Sequence, residues 1–290
     1  MHELIMLLQQ VPALLYSFVT VLGVLIGSFL NVVIYRLPVM MAREWKNECA
    51  EYFPEANLKT EQQAFNLVVP RSRCPQCDHL IGPAENIPLL SWLFQRGRCK
   101  HCGCKISKRY PSIELLTGTL SLVVAYMIPF GWPLLFALLF TWALISLTFI
   151  DFDTMLLPDQ ITLPLLWFAL LININGTFTS LTDAVAGAAL GYLSLWSIYW
   201  GFKLLTGKEG MGYGDFKLLA ALGAWFGWQA LPLIILISSF AGAIIGIAVL
   251  LASKDKKSRP MPFGPYLAIA GWIYLVYGGP ITQFYYSLVL

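Results

Sequence analysis

Two CxxC pairs, Cys74-Pro-Gln-Cys77 and Cys99-Lys-His-Cys102, stand 21 residues apart in the chain. Each pair can place two thiolates on one metal from a single tight turn. Two such turns complete the tetrahedral sulfur shell of a structural zinc site. Cys104 and His101 adjoin Cys102 and are alternative ligands, while Cys49 stands apart and reads as an ordinary free thiol. A redox pair would open a helix in a thioredoxin-like unit, and no such unit is visible. The second set of chemically capable residues is acidic. Asp151, Asp153 and Asp159 fall in Ile150-Asp-Phe-Asp-Thr-Met-Leu-Leu-Pro-Asp159, and Asp215 ends Met211-Gly-Tyr-Gly-Asp215.

The elements that position these residues are membrane helices. The 290-residue chain is 58% hydrophobic and only 12% charged. A soluble domain carries about a quarter charged residues, so a soluble globular protein is excluded. Eight apolar segments, about 11–35, 113–129, 132–150, 160–174, 183–202, 214–230, 232–252 and 262–287, read as spans. The first is too long for a signal-peptide core and reads as a retained transmembrane helix. Four GxxxG spacings, Gly23/Gly27, Gly187/Gly191, Gly223/Gly227 and Gly242/Gly246, read as tight helix packing. The expected fold is an all-α polytopic membrane protein of about eight transmembrane helices with a cytoplasmic zinc-binding insert. Residues 1–36 form its first helix, 37–112 the insert and 113–290 the remaining membrane core. A surface helix is expected over 41–61.

Charge sets the orientation. Of 19 Lys and Arg, 12 lie from Arg36 to Arg109, and none lies between Tyr110 and Phe202. Basic loops stay cytoplasmic. The insert, 203–210 and 253–260 therefore face the cytoplasm, and both termini lie outside. The third span then ends at the cytoplasmic boundary with Asp151, and the sixth begins there with Asp215. Carboxylates at such a depth are costly and usually functional. If packing joins them, they share a proton. One can then act as base on a water while the other, protonated, polarises a peptide carbonyl. Gly212 and Gly214 would let an extended substrate backbone approach. Asp153 reads as a water-facing residue, and Asp159 equally as a helix N-cap or a catalytic group. Ion transport is the alternative use of Asp151 and Asp215, although transport sites favour the bilayer midplane.

With these residues in view, the sequence resembles the type 4 prepilin peptidases, a family of GxGD membrane aspartic proteases. The likeness covers nearly the whole chain. It runs through Gly27-Ser-Phe-Leu-Asn31, the paired CxxC motifs, Arg109-Tyr110-Pro111 with Glu114, and Asp151 with Leu157-Pro158-Asp159. It continues through Gly212-Tyr213-Gly214-Asp215-Phe216-Lys217 and Pro262-Phe263-Gly264-Pro265-Tyr266. The resemblance implies a bacterial inner-membrane enzyme with Asp151 and Asp215 as its catalytic pair. Such an enzyme removes the basic leader of type IV prepilins and type II secretion pseudopilins, after a glycine and on the cytoplasmic side. It then methylates the new N-terminal amine with S-adenosylmethionine. Cys74, Cys77, Cys99 and Cys102 match the family's four cysteines, and Gly97 and Arg98 match residues linked to methyl transfer, where relatives often carry Lys at the second position. Its partners are those substrates and the lipid bilayer, with no nucleic acid. The methyltransferase half comes from the resemblance alone, for no glycine-rich nucleotide-binding signature is present.

Overall fold

The computed structural model describes residues 2–56, 63–252 and 261–289. Those residues are almost entirely helical, with no strand among them. The helices are α1 (His2–Gln10), α2 (Pro12–Tyr52), α3 (Leu90–Phe94), α4 (Arg109–Met127), α5 (Trp132–Thr154), α6 (Asp159–Ile172), α7 (Leu181–Thr206), α8 (Tyr213–Phe226), α9 (Leu231–Ala252) and α10 (Gly264–Val289). A helix stands at each of the eight apolar segments. Among the described residues, four helical stretches are long and apolar enough to cross a membrane: Pro12–Tyr52, Trp132–Thr154, Leu181–Thr206 and Trp228–Val249. By contrast α6 and α8 have 14 residues each. At 1.5 Å per residue they rise about 21 Å, short of a ~30 Å hydrocarbon core. The basic segment 253–260 lies outside the described residues.

The chain forms two compact units, Met1–Phe130 and Gly131–Leu290. In the first, α2 packs along α4. A Cβ on Gly23 would lie 2.6 Å from Ser121 Oγ, and one on Gly27 would lie 2.8 Å from Glu114 Cα. The outward face of α2 carries Phe18, Val21, Leu25 and Phe29, all exposed at three- or four-residue spacing, as a lipid-facing stripe requires. A helix end near residue 35 and a separate surface helix over 41–61 are not what forms. Instead α2 continues unbroken through Pro38 to Tyr52, and 57–61 lie outside the described residues. Hydropathy marks where a chain leaves apolar surroundings. The good helix formers of Met40-Met-Ala-Arg-Glu44 keep the backbone helical beyond that point.

In the second unit α8 is the central element. Phe216, Leu218, Leu219, Leu222 and Trp225 are fully buried among Phe140 and Leu147 of α5, Ile234 of α9 and Leu267 of α10. Gly187 of α7 and Gly223 of α8 meet backbone to backbone, each with the other's carbonyl oxygen where a Cβ would stand. Asn173, after α6, is fully buried and uses its whole side chain. Its amide donates to Ala224 O (2.9 Å) and Trp225 O (3.3 Å), and its oxygen accepts from Phe178 N and Thr179 N. Gly223→Leu is expected to force α7 from α8. It should cost at least the ~1–3 kcal/mol of an overpacked core, read as a lowered unfolding temperature in detergent.

Candidate active site and metal centre

Asp151 sits in the last turn of α5, 4% exposed. The helix stops three residues later, where Met155 takes a left-handed conformation (φ 56°) and its N–H caps Asp151 O at 2.9 Å. Leu156, Leu157 and Pro158 then lead into α6. Asp215 sits in the first turn of α8, 7% exposed, behind the Gly212 N-cap. The two carboxyl groups are close enough for direct electrostatic interaction, so helices distant in sequence bring them together.

Leu157 sets how closely they approach. A Cβ on Gly214 would lie 2.7 Å from Leu157 Cβ, and one on Gly264 would lie 2.9 Å from Leu157 Cδ1 and 2.5 Å from Asp151 Oδ2. The ends of α5, α8 and α10 therefore converge on one leucine and one carboxylate. The Gly264 N–H polarises the Asp151 carboxyl without closing a hydrogen bond, and Oδ2 has no full protein partner. A buried carboxylate oxygen lacking a protein donor is costly unless it serves chemistry, and it can accept a proton from a water. The carboxyl pair thus has the parts for acid–base work on a water.

Asp159 is neither an N-cap nor part of the pair. Pro158 occupies the cap, and both Asp159 oxygens lie 2.7 Å from Lys217 Nζ. That ion pair ties the first turn of α6 to the first turn of α8, two residues beyond Asp215. Half-exposed pairs add at most about 1 kcal/mol, so its effect is orientation rather than stability. Tyr199, Tyr213 and Phe216 pack with ring centroids 5.4–5.7 Å apart and hold the same turn against α7. Asp153 is exposed. The sequence reading gave Leu157, Gly264 and Lys217 no separate role, although all three lie in the quoted motifs.

The cysteines occupy two equivalent turns in the first unit. The Arg73–Leu80 bridge closes one and the Arg98–Lys105 bridge the other. Cys74 N donates to His79 O at 2.9 Å in the first, and Cys99 N donates to Cys104 O at 2.8 Å in the second. Sulfurs lie 3.7 Å apart for Cys74–Cys102, 3.5 Å for Cys74–Cys104 and 4.0 Å for Cys77–Cys99. A tetrahedral ion with bonds of about 2.3 Å needs sulfurs about 3.8 Å apart, so the cluster fits zinc. The four sulfurs that lie within 4.8 Å of one another are those of Cys74, Cys99, Cys102 and Cys104, so Cys104 stands in the group where the sequence reading put Cys77. His101 instead stacks on His79 at 3.4 Å between centroids, and Cys49 is exposed on α2. The N–H groups of Cys77 and Gln76 hold the Cys74 thiol down at about 6, where the thiolate that binds metal dominates at neutral pH.

Three buried polar side chains fasten this region to its helices. Asn31 donates to Tyr110 O at 3.2 Å, and Arg36 donates to Asn66 O at 2.8 Å and Pro70 O at 2.5 Å. Glu114 accepts from Leu89 N at 2.8 Å, holding Leu89 at φ 59°. Gly97 has φ +66°, and a Cβ there would lie 2.8 Å from Trp92 Cζ2. Both facts require glycine, and they set the direction of Arg98.

Comparison with known proteins agrees with this architecture. Residues 21–128 match the bacterial peptidase A24 N-terminal domain, and residues 138–247 match the type IV leader peptidase family. A protein of Aeromonas salmonicida named prepilin leader peptidase/N-methyltransferase is 59% identical over 291 residues, covering all of both chains. Proteins of the same name are 59% identical in Aeromonas hydrophila, over 98% of each chain, and 55% identical in Pseudomonas aeruginosa, over 91% of each. No solved structure matches the chain. The chain belongs to the type IV leader peptidase family.

Two outcomes follow from this geometry. Gly264→Ala should cut peptide cleavage about a hundredfold, the scale of a 1 Å misplacement, and lower the unfolding temperature as an overpacked site costing ~1–3 kcal/mol does. Turnover of a fluorogenic prepilin peptide measures it. Joint replacement of Cys74 and Cys102 by Ser should empty the metal site, read as loss of bound zinc by elemental analysis.

Proposed function

We propose that this chain is a two-activity prepilin-processing enzyme of a bacterial inner membrane. It cleaves the basic leader of type IV prepilins and type II secretion pseudopilins, then methylates the newly exposed N-terminal amine. The observation that carries the reading is the meeting of Asp151 and Asp215, two buried carboxyl groups at helix ends, in a chain of this family. One carboxylate takes a proton from a water as the water oxygen attacks the scissile carbonyl. The other, protonated, donates to the carbonyl oxygen and stabilises its developing charge, and as the tetrahedral intermediate collapses the first carboxyl passes its proton to the leaving nitrogen while the C–N bond breaks. Because the two groups interact, their titration belongs to the pair. Asp159, Lys217, Leu157 and Gly264 position the pair.

The rest of the reading follows the sequence. All eight apolar helices lie in the membrane, with α6 and α8 short because they end at polar or glycine caps. The insert, residues 37–112, and the cleavage site face the cytoplasm, where the basic loops stay. Residues 1–36 supply the first membrane helix and 113–290 the catalytic membrane core. Cys74, Cys77, Cys99 and Cys102 hold a structural zinc, with Cys104 able to replace one of them. Gly97 and Arg98 serve S-adenosylmethionine, which supplies the methyl group. The chain's own contribution to that step is to hold the new amine in line. Ion transport has no support among the relatives, which are named for cleavage and methylation, and both carboxylates stand at helix ends.

Purified protein is given a prepilin and labelled S-adenosylmethionine, and cleavage and methylation are read separately. Asp151→Ala and Asp215→Ala should each reduce cleavage to background while the protein still extracts folded from membranes. Full cleavage in both variants overturns the assignment of the pair. Supplied with already cleaved pilin, both variants should still transfer the methyl group.

A further inference from the structure

The chain has three histidines, and two of them meet. His79 follows Cys77 by two residues in the first cysteine turn, and His101 lies between Cys99 and Cys102 in the second. Their rings stand face to face, 3.4 Å between centroids and tilted by 31°. Glu85 joins them from the 83–86 turn, with its Oε2 3.5 Å from His79 Nε2. One ligand atom from each of the three lies within 4.8 Å of the other two. The group shares no residue with the sulfur cluster, and neither cleavage nor methyl transfer uses it.

Two imidazoles and a carboxylate within one ion's reach are the donor set of a borderline divalent transition ion: zinc, copper, nickel or cobalt. Magnesium and calcium favour oxygen alone. Donors on a tetrahedral ion with bonds of about 2.1 Å stand about 3.4 Å apart, so His79 Nε2 and Glu85 Oε2 already have that spacing. His101 is exposed, and its ring nitrogens make no hydrogen bond among the described residues. Turning that ring out of the stack completes the set. The other two residues are fixed from behind. The Gly82 N–H donates to Glu85 Oε2 at 3.0 Å, and His79 O accepts from Cys74 N at 2.9 Å. Metal-ligating carboxylates are hydrogen-bonded in this way. We propose that His79, Glu85 and His101 bind a second divalent transition ion, separate from the sulfur cluster, with a water in its fourth position. Such an ion ties both cysteine turns to the 83–86 turn, which contributes no sulfur.

Full-length protein without a histidine tag is purified in detergent, saturated with zinc and dialysed, and its metal content is read by elemental analysis. The parent should hold two ions per chain. His79→Gln and His101→Gln should each hold one. Glu85→Gln should weaken the second ion by at least the ~10-fold that loss of an outer-shell contact costs. Cobalt added to protein carrying a single zinc reads the second site directly. It should saturate at one equivalent with weak visible bands, and without the intense near-ultraviolet thiolate band of cobalt in a sulfur shell. That spectrum needs no variant, so a destabilised variant leaves the test intact. A parent that holds one ion only, or cobalt that arrives with the thiolate band, overturns the proposal. A second ion kept by both histidine variants overturns it too.

Discussion

Leu157 fills the space between Gly214 and Gly264, and Asp151 Oδ2 lies against the same Gly264. Nothing larger than hydrogen fits at either glycine without moving the leucine or the carboxylate. The approach of α8 and α10 to Leu157 and the Asp151 carboxylate therefore depends on two absent side chains. Three helix ends meet there, so a change in any one of α5, α8 or α10 reaches the carboxyl pair. A protein interior is packed too densely to absorb such a shift without cost.

Burying two carboxyl groups is unfavourable, and the rest of the second unit opposes the relaxation that would relieve it. α8 is fixed at both ends. At its first turn, Lys217 pairs with Asp159, and Tyr199 and Tyr213 pack on Phe216. At its last turn, Asn173 binds two carbonyls, and Trp225 Nε1 donates to Leu165 O at 3.2 Å. Between them the backbone contact of Gly187 with Gly223 prevents α8 from sliding along α7. A helix clamped in this way cannot rotate Asp215 toward water.

Much of this was legible in the chain, and the failures have physical causes. Hydropathy averaged over about 20 residues located a helix at each of the eight apolar segments, four of the described helical stretches being long and apolar enough to cross a membrane. It misplaced the end of α2, because helix continuity depends on backbone propensity and not on what surrounds the helix. Asp151 and Asp215 stood out as charges in an apolar chain. Asp159 was ambiguous, because its partner Lys217 is 58 positions away and no local spacing encodes that pairing. Leu157 carries no chemical signal at all. Its importance lies in a shape that exists only once α8 and α10 are in place. The CxxC spacing disclosed a metal cluster. Cys104, an alternative ligand by its place beside Cys102, joins the close sulfur group in place of Cys77, because the turn closed by the Arg98–Lys105 bridge brings it round.

The cysteine region answers a different constraint. A polar stretch of this length buries too little apolar surface to hold itself together, and small units of this kind rely on metals or other staples. Here a sulfur cluster able to hold such a staple sits at one end, and three buried polar side chains, Asn31, Arg36 and Glu114, hold the other. Each ends on a backbone carbonyl or amide rather than on another side chain, so the contacts fix the path of the chain and not merely its composition. Cys99 lies directly between Arg98 and Lys100. A metal held at that sulfur would add a further anchor to a turn already fixed by the Arg98–Lys105 bridge and by the Arg98 N–H on Gln95 O. The sulfur cluster and its two basic neighbours are thus one covalent piece, so whatever fixes the Cys99 turn fixes the backbone of Arg98 and Lys100 with it.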